Sequence, residues 1–148
     1  MFAEILYADG HFAHALEAYQ RVRRSMDPES GLGQVLGDLC MTREKRAYKL
    51  GCCHLALGCL EPAEAQFREG LDADANHGGC HYGLARVALL RDDRAGAIEQ
   101  LEATLKNDPA WKTPRELLTK LRAEGARTAP IRRGAPADKP SLSGWRTG

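Results

Sequence analysis

The sequence predicts an all-α fold of paired helices stacked in an array, and three observations carry that prediction. Segments of the chain resemble one another at a constant offset, the one that separates Leu50 from Leu84. Within each segment, apolar residues recur at three- and four-residue steps, the period of a helix buried on one side. Glycine, proline or paired aspartates interrupt that period at matching places. Self-similarity at a period of this size is the signature of a repeat architecture.

The offset is clearest when Lys49 to Asn76 is aligned with Tyr82 to Ala110. A single repeat step carries Leu50-Gly51 to Leu84-Ala85, Ala63 to Ala97, Phe67 to Leu101, Leu71 to Leu105 and Asp74 to Asp108. Each unit reads as two helices. In the earlier one, Ala47, Leu50, Gly51, His54, Leu55 and Leu57 keep helical spacing until Gly58 interrupts. Pro62 suits the first turn of the next helix, where its missing N–H costs nothing. Ala63, Phe67, Gly70 and Leu71 form that helix's stripe. In the later unit, Asp92-Asp93 mark the turn and Asp108-Pro109 the stop, because a proline disfavours helix in the residue before it. Gly51 and Ala85 on the first helices, with Ala63 and Ala97 on the second, allow the axes to approach closely. Phe67 and Leu101 are the bulky groups that fill space towards the following unit.

On these residues the chain resembles a tetratricopeptide-repeat protein. The family's Leu-Gly or Leu-Ala pair appears as Leu50-Gly51 and Leu84-Ala85. Its small residue followed by an aromatic or Leu appears as Ala63 with Phe67 and Ala97 with Leu101, and its closing proline as Pro109. The earlier unit departs at its end, with Ala75 in place of the proline and Gly70 where an Ala is usual. The resemblance implies a right-handed helical-hairpin solenoid of about three units. These are expected at about 1–28, 44–77 and 78–111, with a capping helix over 112–124.

The first unit is legible in AEILYADGHFAHALEAYQRV, with Gly10 and Phe12 at its turn and Ala15 and Tyr19 on its second helix. Extrapolated backwards, its first helix would start upstream of Met1, so a fragment or a short cap is expected. Ala15 and Ala63 stand further apart than one repeat step, which places an insertion or a lengthened helix at 29–43. After Trp111, Leu117, Leu118 and Leu121 share one face of the capping helix, which repeat arrays need for solubility. From Gly125 to the end, three prolines, four glycines and five basic residues against one acidic one predict a flexible tail over 125–148.

Composition bounds the function. The chain has 148 residues, enough for one domain, and 21 Lys and Arg against 20 Asp and Glu. That balance argues against a specific nucleic acid or a membrane as partner. The basic tail would bind RNA only weakly and with strong salt dependence. No apolar run approaches the ~20 residues that span a bilayer, and MFAEILYADG does not read as a signal peptide. Five cysteines, an odd number with two adjacent, make a poor disulfide framework. Reduced thiols and a cytoplasmic location are the expectation.

Site chemistry is thin. GLGQVLG at 31–37 is neither a dinucleotide fingerprint nor preceded by a strand. Cys52, Cys53 and His54 precede His77, Cys80 and His81 on the next first helix, a tempting ligand set. Neighbours on a helix nevertheless point about 100° apart, no paired cysteine knuckle exists, and cysteine packs well as a small filler. No metal, no cofactor and no enzymatic activity are expected.

A partner-binding surface remains. In the family that the chain resembles, first helices line a concave groove that holds a partner segment. The resemblance places there Lys45, Tyr48, Lys49, Cys52 and Leu55, then Tyr82, Arg86, Leu89 and Leu90, with Glu116 and Lys120 from the capping helix. Apolar anchors mixed with cations favour another protein or peptide of acidic character. Chaperone-tail receptors of the family clamp a terminal carboxylate with Lys and Asn. Here Tyr48 and Cys52 occupy those places, so such tails are not the expected ligand. A non-enzymatic scaffold or adaptor is the first reading. A secretion-type chaperone for an extended cargo segment and a detached regulatory portion of a larger enzyme are the alternatives.

Overall fold

The structure, a computed structural model, describes residues 2–25 and 42–128. These residues form seven helices and no strand. They are α1 (Phe2–Ala8), α2 (Phe12–Ser25), α3 (Arg43–Ala56), α4 (Leu60–Ala73), α5 (Gly78–Leu90), α6 (Arg94–Asn107) and α7 (Lys112–Thr128). The greater part of the 29–43 insertion and the tail from 129 onward lie outside the described residues.

The sequence repeat is written into the helix boundaries. α2, α4 and α6 are each 14 residues long, and α4 and α6 begin one repeat step apart, at Leu60 and Arg94. The turns before them repeat as well. Gly10, Gly58 and Asp92 occupy matching positions, and all three have positive φ, at 80°, 77° and 60°. Only glycine adopts that backbone without strain, with Asp and Asn the best-tolerated substitutes.

Helix ends are closed by aspartates. The Asp74 carboxylate accepts a hydrogen bond from the Asn76 N–H at 3.0 Å, and Asp108 does the same for Ala110 at 3.1 Å. The shared Asx turn stops α4 and α6 alike. A proline at Ala75 is therefore not needed.

Each helix packs on the next in chain order, and α3 also packs on α5. The core is divided into three clusters, each joining one helical pair to the helix that follows. Ala3, Ala15 and Tyr19 meet Leu50 and Cys53 of α3. Cys52, Leu55, Ala63 and Phe67 meet Cys80 and Val87 of α5. Ala85, Ala97 and Leu101 meet Leu118 and Leu121 of α7. Ala15, Ala63, Ala97, Phe67 and Leu101 are fully buried, so small and bulky residues stand where helix approach and inter-unit packing require them.

Gly70 is explained by its neighbour, since a Cβ there would lie 2.5 Å from the Cys80 sulfur. α7 runs to Thr128, past the expected end at 124. Ala123, Glu124, Ala126 and Arg127 are good helix formers, and one glycine among them costs only about 1 kcal/mol. No described helix is long and apolar enough to cross a membrane.

Candidate functional site

Tyr48 and Lys49 lie one turn before Cys52 on α3, and Arg86 lies on α5, the first helix packed beside it. Tyr7 of α1, a residue that the sequence reading did not select, packs with Tyr48 against the core cluster that holds Cys52. Lys49 Nζ stands 4.4 Å from the centre of the Tyr7 ring, a cation–π contact. Arg86 is exposed at the surface.

A second feature is periodic. The Tyr48 ring lies 5.7 Å from the His77 ring, and Tyr82 lies 5.0 Å from Trp111. Both partners of the second pair stand one repeat step beyond those of the first. His77 also caps α5, accepting from the Cys80 N–H at Nδ1.

The remaining expected residues fall in three groups. Leu55, 6% exposed, belongs to the core between α3, α4 and α5 rather than to an open surface. Leu89 is half-buried against the third cluster. Lys45, Leu90, Glu116 and Lys120 are exposed. Register could have found Tyr7, because the spacing from Tyr7 to Leu55 equals that from Ala15 to Ala63.

Burial, then the adjoining Cys52, pushes Tyr7 from its ordinary 10.0 up to about 12, with Arg86 pulling the other way. The same causes raise Tyr48. Burial also pushes the Cys52 thiol up, against the lowering influence of both phenols, Arg86 and Lys49. A thiol kept protonated at neutral pH is a poor nucleophile and a poor metal ligand.

The other residues of the tempting ligand set are occupied structurally. Cys53 packs with Tyr19 and Leu50. Burial pushes Cys80 up to about 12. His81 meets Gln100 Oε1 at 2.9 Å and the Ala75 carbonyl oxygen at 3.0 Å. Among the described residues, no group of three His, Cys, Asp or Glu is arranged to hold a metal ion.

No protein-family model and no curated protein matches the chain.

Proposed function

We propose that the chain is a tetratricopeptide-repeat interaction module, a right-handed stack of three helical pairs closed by α7. It is a non-enzymatic scaffold or adaptor that holds a segment of a partner protein across its first helices. The observation that carries this reading is the repeated aromatic pair, Tyr48–His77 and Tyr82–Trp111, in which a Tyr of α3 or α5 meets the ring just before α5 or α7. Aromatic faces offer large contact area at little entropic cost, which suits a binding surface. Recurrence at the repeat step suits a segment that crosses several units. Lys49, seated over the Tyr7 ring, and the exposed Arg86 favour acidic character in that segment.

The test is capture from lysate by the wild-type chain and by an Arg86→Glu, Tyr48→Ala double variant matched for helicity and melting. A partner held by the wild type and lost by the variant is the expected result. Equal capture by both moves the working surface elsewhere.

A further inference from the structure

A cleft of about 160 Å³ opens between α4, α5 and α6, and Leu84, Val87 and Ala88 line it with apolar surface from α5. None of Tyr48, His77, Tyr82 and Trp111 lines it, so it is separate from the aromatic pairs. Glu64 of α4, which also lines it, pairs through one oxygen with Arg68 at 2.5 Å and through the other with Arg91. Asp93 gives its Oδ1 to the Gly96 N–H at 2.9 Å. Both guanidiniums are thus held at the cleft by one shared carboxylate, while the Arg68 and Arg91 side chains keep 70% and 40% of their surface exposed.

The repeat shows which group the cleft lacks. Ala88 stands one repeat step after His54, so α5 carries a methyl where α3 carries a half-buried ring. The space left is the size of one ring, since an apolar cavity of about 150 Å³ accepts benzene.

We propose that this cleft takes one aromatic side chain of a protein partner, seated on Leu84, Val87 and Ala88 and flanked by Arg68 and Arg91. Charge complementarity selects the occupant. The negative face of a ring suits two cations whose N–H groups already hold Glu64, whereas an aliphatic side chain gains the burial without the cation–π contact.

The experiment selects phage-displayed random dodecapeptides on the full chain, with counter-selection on Ala88→His, which supplies the missing ring. The expected outcome is a recovered set that shares an aromatic position. In a synthetic peptide from that set, Ala at this position should weaken binding by about tenfold or more, the range of a buried apolar side chain. Leu there should weaken it about two- to fivefold, the range of an exposed cation–π contact, and Arg91→Gln should narrow that preference. Ala88→Phe should abolish binding while melting at or above the wild type, and Tyr48→Ala should leave binding unchanged.

Peptides that share Leu or Ile instead of a ring overturn the proposal, as do peptides that still bind Ala88→Phe. Recovery of no peptide also overturns it. Binding gained in a Trp145→Ala chain would then assign the cleft to the chain's own tail, and a doubled mass in sedimentation, lost in Ala88→His, to a second copy.

Discussion

The ring of Phe67 occupies the space that a side chain on Gly83 would need. A Cβ at that glycine would overlap the ring, and one at Gly51 would lie 2.5 Å from its Cε1 atom. Phe67, on α4, is thus clamped between two glycines on successive first helices, α3 and α5, and its thickness sets their separation. Gly83→Ala or Gly51→Ala should lower stability by about 1–3 kcal/mol through overpacking. Phe67→Ala should cost about 3–5 kcal/mol through the cavity left behind. Urea midpoints check both, and an unchanged midpoint for Gly83→Ala would mean that the clamp does not set the spacing.

Gly70 and Cys80 form a smaller pair of the same kind. Gly70→Ala gains helix propensity, about 1 kcal/mol, yet places a methyl against the Cys80 sulfur. The single variant should therefore melt below the wild type. Adding Cys80→Ala removes the sulfur, so the double variant should be more stable than the two separate effects summed. Thermal melts of the four proteins decide this, and simple additivity would contradict the close packing.

The turn residues make a prediction of opposite sign at matching positions. Gly58 has φ 77° and Asp92 has φ 60°. A left-handed backbone costs a residue with a Cβ roughly 1–2 kcal/mol. Gly58→Ala should lose about 1 kcal/mol, whereas Asp92→Gly should hold or gain a few tenths. A loss from Asp92→Gly as large as that from Gly58→Ala would show that the Asp92 side chain, not the backbone, governs its turn.

Alkaline pH should weaken the fold through four groups. Tyr7, Tyr48, Cys52 and Cys80 all have raised pKa values in the folded chain, chiefly through burial. A group raised on folding stabilises fully below its unfolded pKa and loses that contribution as pH climbs through the folded one. For Cys80 the window runs from its ordinary 9.0 to about 12, and for Tyr7 from 10.0 to about 12. Stability measured by urea midpoint should fall across that window. The slope should be shallower in Cys80→Ala and Tyr7→Phe variants, and identical slopes in all three proteins would contradict the assignment.

Much of the fold was legible because the repeat constrains backbone and packing together. The step from Leu50-Gly51 to Leu84-Ala85 anticipated the two helical pairs, and Gly10, Gly58 and Asp92 marked turns that all adopt positive φ. What stayed hidden depended on contacts between elements. Gly83 reads as an ordinary helical glycine until the Phe67 ring is seen against it. The missing proline at Ala75 looked like a weak stop, although Asp74 closes the helix with its own side chain. At the candidate site, the family resemblance put Leu55 on the open surface, whereas it is buried in a cluster with residues of α4 and α5. Tyr7 was overlooked because Ala15 and Ala63 are separated by more than one repeat step, which hides its correspondence to Leu55.

The most direct test of the account is amide chemical-shift mapping of the isotopically labelled chain with a bound partner segment. The account predicts that the largest shifts fall on α1, α3 and α5, at Tyr7, Tyr48, Cys52, Tyr82 and Arg86. Shifts confined to α2, α4 and α6 would contradict it and place binding on the opposite face.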